Sequence, residues 1–190
     1  MRTKDHSKNE AICRAAIDLI QKEGFEATSM SRISTEAGVS PATIYVYFAN
    51  KEDLLNKIYL KVRHEMSSAM LEGLDETGLI EEGFRRVWFN FYNYAVTNPV
   101  DFAFGEQFAN SPLVNRIDRD ESDSLFGPLI ELFERGKREG VIKDIPLAVF
   151  SAFAFFPVIG LIRNRQGENL VFGKDLLEQV YEISWDAVTV

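Results

Sequence analysis

The stretch SMSRISTEAGVSPATIYVYFANK, residues 29–51, carries the signals for two short helices joined by a tight turn. Ser29 precedes the first helix and Ser40 precedes the second, and serine is favoured at the N-cap because its hydroxyl accepts a backbone hydrogen bond. Gly38 suits the end of the first helix, since glycine readily adopts the left-handed conformation that closes a helix. Pro41 suits the first position of the second helix, where no N–H is needed. The stretch therefore predicts a helix-turn-helix.

The residues on both sides of the turn narrow this prediction. The run GVSPATIYVYFANKEDLL, residues 38–55, closely resembles the signature of TetR-type repressors. Upstream, an amphipathic helix ends at residues 22–25, as in that family. The resemblance is specific from residue 9 to residue 59, and beyond that it concerns architecture alone. It implies an all-α protein of about nine helices, in which a three-helix DNA-binding headpiece is joined by a long helix to a helical ligand-binding and dimerisation domain.

The resemblance also implies which residues meet an operator in double-stranded DNA. They are Thr28, Ser29, Ser31, Pro41, Ala42, Thr43, Tyr45, Tyr47 and Lys51. This chain departs from the usual pattern in that no Arg, Lys, Asn or Gln lies between Pro41 and Phe48. Bidentate reading of guanine or adenine is therefore unavailable from this helix. Three ways of recognising sequence remain for this helix: apolar contact of Pro41 and Ala42 with thymine methyl groups, a hydrogen bond of the Thr43 hydroxyl, and recognition of the shape of the DNA.

The distribution of charge agrees with DNA contact at one end of the chain. The net charge is −8, but residues 1–64 hold ten Lys or Arg against eight Asp or Glu, whereas residues 65–190 hold eleven against twenty-one. Because binding to a polyanion depends on where cations cluster, a mildly basic headpiece on an acidic body is compatible with DNA binding. The split disfavours a protein that binds DNA along its whole length.

After the headpiece, the pattern predicts a long connector helix over residues 51–73, which places the domains at residues 1–50 and 51–190. Residues 84–108 then contain nine aromatic residues in twenty-five positions. A small-molecule effector of unknown identity, hydrophobic or aromatic, could bind among these side chains and the connector, although an aromatic stripe at helical spacing is also typical of a core. The candidate residues are His64, Trp88, Phe91, Tyr92, Phe102, Glu106, Phe108 and Phe126.

The run LAVFSAFAFFPVIGLI, residues 147–162, contains a single polar residue, Ser151. It is shorter than the ~20 residues that a bilayer requires, so we expect no membrane insertion. A helix that is apolar all round needs a partner on every side, and the resemblance implies a homodimer built from two such helices of each chain. The expected interface residues are Phe150, Phe153, Pro157, Leu161, Leu177, Val180, Tyr181, Ser184 and Val188.

Other function classes are disfavoured. No nucleophile, phosphate-binding glycine loop or metal-ligand spacing is present, so we expect neither an enzyme nor a cofactor. The single Cys13 lies in an apolar stretch and is expected to be a buried, reduced thiol, and with no signal peptide in the sequence the expected location is the cytoplasm. The leading hypothesis is an effector-released repressor at a palindromic operator, with activation left open. The alternative is a helical dimer that binds ligands or partners without an operator.

Overall fold

The structure is a computed structural model, and it describes residues 2–113, 124–167 and 173–190. These residues form nine helices, in agreement with the predicted all-α fold. The polar run at residues 115–123, predicted to be a loop or a helix start, lies outside the described residues. The helices are α1 (Arg2–Ala27), α2 (Met30–Glu36), α3 (Pro41–Tyr47), α4 (Lys51–Leu71), α5 (Ile80–Thr97), α6 (Pro99–Ala109), α7 (Gly127–Arg138), α8 (Leu147–Gly167) and α9 (Lys174–Val188).

The chain divides into two compact units. The first comprises Met1–Glu65 and Asn98–Ser122, and the second comprises Met66–Thr97 and Asp123–Val190. This division differs from the predicted boundary after residue 50, because most of α4 and all of α6 belong to the first unit. Helix α4 begins in the first unit and ends in the second, close to the bounds predicted for the connector.

The core of the first unit is formed by apolar side chains from α1 to α4, and α6 completes it. Phe104 and Phe108 on α6 are fully buried. The ring of Phe108 lies 4.9 Å from that of Tyr59 and 5.8 Å from that of Phe25, centroid to centroid. Burial of two phenylalanine side chains contributes several kcal/mol, at about 1.5–3 kcal/mol each. This contribution is the physical reason why α6 joins the headpiece rather than the second unit.

The second unit is assembled from α5, α7, α8 and α9. Helix α5 packs against α7 and α8, and α8 packs against α9. A Cβ on Gly136 of α7 would lie 2.5 Å from the Cδ1 atom of Ile142, so any larger residue here would displace the buried Ile142 side chain. The indole Nε1 of Trp88 on α5 donates a hydrogen bond of 2.9 Å to the carbonyl of Ala154 on α8, which satisfies the one polar atom of this buried ring.

Helix α8 continues through Pro157 to Gly167 despite the proline in its interior. Across all helices in the described ranges, none combines the length and the apolar character needed to cross a bilayer. The far end of α9 is held by an antiparallel bridge between Ile142 and Thr189. The ammonium group of Lys143 also donates to the carbonyls of Asp186 and Ala187, at 3.1 and 3.0 Å.

Candidate functional site

The helix-turn-helix in the first unit has the caps that its sequence predicts. The hydroxyl of Ser29 accepts a hydrogen bond from the Arg32 N–H of α2, and the hydroxyl of Ser40 accepts one of 3.1 Å from the Thr43 N–H of α3. Gly38 has φ of +65°, in the left-handed region. Pro41 is the first residue of α3. Local signals therefore determine where both helices begin and how the turn between them is made.

Helix α3 buries one side and exposes the other. Ile44 is fully buried in the core of the first unit. On the opposite side, Pro41, Ala42, Tyr45 and Val46 are exposed. Tyr45 is 57% exposed and Val46 is 78% exposed. The face available to a nucleic acid thus contains three of the predicted contact residues and Val46, which the sequence prediction missed although it lies four residues after Ala42.

The other two predicted contacts on α3 are only partly accessible. Thr43 and Tyr47 are half-buried. The hydroxyl of Thr43 lies 2.8 Å from that of Ser40, within hydrogen-bond distance. Both residues stay predicted DNA contacts, but the Thr43 hydroxyl already has a partner within the protein.

The predicted contact residues around α2 also include both exposed and buried side chains. Ser29 and Ser31 are exposed, so their hydroxyls are available to a phosphate. Thr28 is buried, and its hydroxyl donates a hydrogen bond of 2.9 Å to the carbonyl of Gly24. Gly24 has φ of +83° and kinks α1, and the Thr28 hydroxyl satisfies its carbonyl. The prediction that the Thr28 side chain contacts DNA is therefore corrected, because this side chain supports the kink.

The cations near the helix-turn-helix are held by partners within the first unit. The ammonium group of Lys51 donates to the carbonyl of Phe25. The guanidinium group of Arg32 is paired with both carboxylate oxygens of Glu23. Arg32 was missed by the sequence prediction, although its position three residues after the N-cap Ser29 places it on the first turn of α2. These contacts fix the position of both side chains, so a further contact made by either cation would cost little additional side-chain entropy.

Lys57 on α4 forms a third such pair. Its ammonium group lies 2.9 Å from the carboxylate of Asp53 and 5.4 Å from the centroid of the Phe48 ring. The hydrogen bond from Lys57, with a second one from the Ala49 N–H, holds the pKa of Asp53 below its ordinary value. Lys57 was also missed by the sequence prediction.

The eight residues predicted to line an effector site do not fall in one compact unit. His64, Phe102, Glu106 and Phe108 belong to the first unit. Trp88, Phe91, Tyr92 and Phe126 belong to the second. His64 is exposed, Tyr92 and Glu106 are half-buried and the other five are buried. Phe108 is part of the headpiece core, whereas the four residues of the second unit stay candidates for an effector site.

An aromatic cluster surrounds Tyr181 in the second unit. The rings of Phe84, Trp88 and Phe89 lie 5.5 to 6.0 Å from the Tyr181 ring, and the Arg85 guanidinium lies 4.7 Å above it. Burial raises the pKa of Tyr181 to about 12. The phenol is therefore neutral at physiological pH.

The predicted dimer residues include several that face the core of their own chain. Phe150, Tyr181, Ser184 and Val188 are fully or almost fully buried within the second unit. These four predictions are corrected: the side chains are covered by their own chain and present nothing to a second copy. Of the remaining predicted residues, Phe153 is 55% exposed. Half-buried are Pro157, Leu161, Leu177 and Val180.

Helices α8 and α9 nevertheless expose large apolar side chains. On α8, Val149, Phe153 and Phe156 are exposed at steps of four and three residues, so they share one face, and Leu147 at the start of the helix is exposed too. On α9 the exposed residues are Leu176 and Ile183, seven residues apart and also on one face. Phe156 and Ile183 are more than 60% exposed. We call the five residues on these two faces, without Leu147, the C-terminal apolar stripes.

Two further kinds of site, a metal site and a reactive thiol, are not formed by the described residues. No group of three or more His, Cys, Asp or Glu in that part of the chain could hold a metal ion. Cys13 is buried, as predicted. Burial raises the pKa of its thiol, so the thiolate needed for nucleophilic chemistry is disfavoured.

Two family profiles match the chain. The family described as tetracyclin repressor-like, C-terminal domain, matches residues 80–189, and that described as bacterial regulatory proteins, tetR family, matches residues 12–58. A helix-turn-helix transcriptional regulator from Haemophilus influenzae is 25% identical over 180 residues, which cover 94% of each chain.

Solved structures are similar over nearly the whole chain. A TetR family transcription regulator from Marinobacter aquaeolei has a TM-score of 0.92 and 29% identity, with 100% of this chain and 99% of that chain covered. The regulator FadR from Bacillus subtilis, solved in complex with stearoyl-CoA, has a TM-score of 0.68 and 19% identity, with 94% and 97% covered. At 19% identity, the similarity to FadR shows a shared fold alone.

Proposed function

The chain belongs to the TetR family of helix-turn-helix transcriptional regulators, and from this premise we propose that it is a homodimeric repressor released from a palindromic operator by a small hydrophobic effector. The observation that carries the proposal is the exposed face of α3, presented by a capped helix-turn-helix whose neighbouring cations are already held in place. In proteins of this class the second helix lies in the major groove and the first crosses the backbone. We assign the backbone contacts to Ser29, Ser31 and Lys51.

The base-reading surface in this proposal is the exposed side of α3, with Pro41, Ala42 and Tyr45 against base edges and Thr43 and Tyr47 at its margin. One such surface covers only a few base pairs. Two copies that bind half-sites one or more helical turns apart give the affinity that a single headpiece lacks. Symmetry of the protein then requires a palindromic operator.

The C-terminal apolar stripes support a homodimer. Phe153, Phe156 and Ile183 are large apolar side chains that water solvates in the single chain. Burial of such residues between two copies contributes about 25 cal/mol per Å2. We propose that α8 and α9 of each copy form a four-helix interface, in which Phe153 keeps its predicted role and Phe156 and Ile183 are added.

The effector site is proposed to lie in the second unit, near Trp88, Phe91, Tyr92 and Phe126. Three of these residues are buried and aromatic, and an apolar ligand is the kind that such a lining accepts. FadR from Bacillus subtilis, which has a similar fold, was solved in complex with stearoyl-CoA, and this complex supports a long-chain acyl thioester as the first compound to test. Since α4 belongs to both units, it connects such a site to the headpiece. The protein is proposed to act in the cytoplasm and to carry out no catalysis.

The test is selection of duplexes from a random library by the full-length protein, followed by titration of the selected duplex. We expect an inverted repeat to be enriched and its affinity to fall steeply with salt. Stearoyl-CoA should then weaken operator binding by about 5- to 150-fold, the usual range of coupling between two sites, and coenzyme A without the acyl chain should not. If the selection enriches no duplex, the result contradicts the proposed repressor function and favours a ligand-binding dimer without an operator. An operator unaffected by the acyl thioester contradicts that effector class alone.

A further inference from the structure

The exposed face of α3 is mostly apolar. Between Pro41 and Tyr47 the polar side chains are Thr43, Tyr45 and Tyr47, and the Thr43 hydroxyl already lies 2.8 Å from that of Ser40. No amide or guanidinium group on this helix can make the paired hydrogen bonds that identify guanine or adenine. If the helix reads sequence, most of the reading must come from shape and from apolar contact.

Val46 is the most exposed large hydrophobic side chain of the helix-turn-helix. It is 78% exposed, whereas Ile44 two residues earlier is fully buried. Ala42 lies one helical turn before Val46 and is also exposed, so the two side chains form a continuous apolar strip on α3. Single exposed valines are common on protein surfaces and need no special explanation. The position of Val46 does require an explanation, because in a helix-turn-helix protein this helix enters the major groove.

The major groove offers one apolar group to such a strip. Among the four base pairs, only those with thymine carry a methyl group on the edge that faces the groove. The branched side chain of Val46 can pack its two methyl groups around this one, and it offers no hydrogen bond that another base could use. We propose that Val46, with Ala42 beside it, is a specificity-determining residue that selects thymine through its methyl group. This inference rests on the proposed function.

The experiment removes the thymine methyl group from the DNA and, in turn, the two methyl groups of Val46 from the protein. Each thymidine of the selected operator is replaced by deoxyuridine, which differs only by the missing methyl group, and binding is measured for the wild type and for Val46→Ala. In the wild type we expect one symmetric pair of positions at which each replacement weakens binding about three- to fivefold, the effect of one buried methyl group. Val46→Ala truncates the residue in both copies of the dimer, so it should weaken binding to the unmodified operator about as much as replacing both thymidines of the pair, roughly ten- to twenty-five-fold. In this variant, the factor by which deoxyuridine at that pair weakens binding should fall to nearly one.

A matched control is Leu79→Ala, which truncates a residue that is also exposed, at 68%, but belongs to the second unit. It should change neither the affinity nor the deoxyuridine pattern. Since Val46 makes little contact with the core, circular dichroism and the melting temperature should match those of the wild type for both variants.

The outcomes separate this inference from the function on which it rests. If an operator is enriched but its wild-type affinity is indifferent to deoxyuridine at every position, Val46 does not read a methyl group. The same holds if Val46→Ala retains the full penalty. If no duplex is enriched at all, the proposed repressor function fails, and a reading role for Val46 fails with it.

Discussion

Two parts of this molecule expose apolar side chains to a similar degree, yet their surroundings differ. On α3 the exposed strip consists of Ala42 and Val46, on a helix of seven residues. On α8 and α9 the C-terminal apolar stripes include two phenylalanines and extend along helices of 21 and 15 residues. Exposure alone therefore does not identify a partner.

The charge around each surface supplies the missing distinction. Residues 1–64 carry a small excess of cations, and Arg32, Lys51 and Lys57 are oriented by hydrogen bonds or ion pairs close to the helix-turn-helix. The second unit, residues 66–97 and 123–190, carries fifteen acidic against nine basic residues. A small apolar strip on a headpiece with an excess of cations suits a groove lined by phosphates. Larger apolar stripes on an acidic unit suit a second protein surface, because DNA would be repelled.

The largest expected effect comes from a charge placed in the C-terminal apolar stripes. Ile183→Glu should convert the dimer to a monomer, because a carboxylate cannot be buried there without a partner. Loss of the second half-site should lower operator affinity about a hundredfold or more. Sedimentation velocity gives the oligomeric state, and a fluorescence-anisotropy titration gives the affinity.

The same substitution at Leu79 is the matched control, since Leu79 is exposed to nearly the same degree, 68% against 65%, but lies outside α8 and α9. Leu79→Glu should stay dimeric and bind normally. A dimeric Ile183→Glu variant with full affinity would show that these stripes serve another partner.

An intermediate effect is expected at Lys51, where a cation supports the fold and is proposed to contact a phosphate. Lys51→Ala should weaken binding to all duplexes by a similar factor and lower the slope of affinity against salt by about one. It should also destabilise the first unit, because the carbonyl of Phe25 loses its donor.

Lys143 allows the two roles of Lys51 to be separated. Its ammonium group also donates to backbone carbonyls at a helix end, but in the second unit. Lys143→Ala should lower the melting temperature and leave the salt slope unchanged. An unchanged slope for Lys51→Ala as well would limit Lys51 to its structural role.

The smallest effect is expected at Ser184, which the sequence predicted to lie in the dimer interface. The structure buries it completely, and within the described residues its hydroxyl has no hydrogen-bond partner. Ser184→Ala removes the desolvated hydroxyl at almost constant volume. It should therefore leave stability unchanged or raise it by up to about 1 kcal/mol, as measured by urea unfolding. Dissociation of the dimer on this substitution would restore Ser184 to the interface.

The sequence predicted the helix-turn-helix closely and the C-terminal helices less well, for one physical reason. Ser29, Gly38 and Ser40 act on atoms within about four residues, so their effect can be inferred from the chain itself. The run at residues 147–162 is apolar on every side, so its periodicity contains no information on which face turns inward. For α9 the predicted residues Tyr181, Ser184 and Val188 do form a buried face, but the face is covered by the same chain rather than by a second copy.

What the sequence determined by itself was local: the bounds of the short helices, the left-handed turn at Gly38 and the absence of side chains on α3 that can read a base through paired hydrogen bonds. Only the tertiary structure decided which surfaces remain exposed. It buried Thr28 under the kink at Gly24, brought Phe108 of α6 into the headpiece core and left Val46 exposed to solvent. Capping depends on neighbours along the chain, so it can be inferred from the local sequence. Burial depends on partners far away in sequence, and these partners cannot be identified from the local pattern alone.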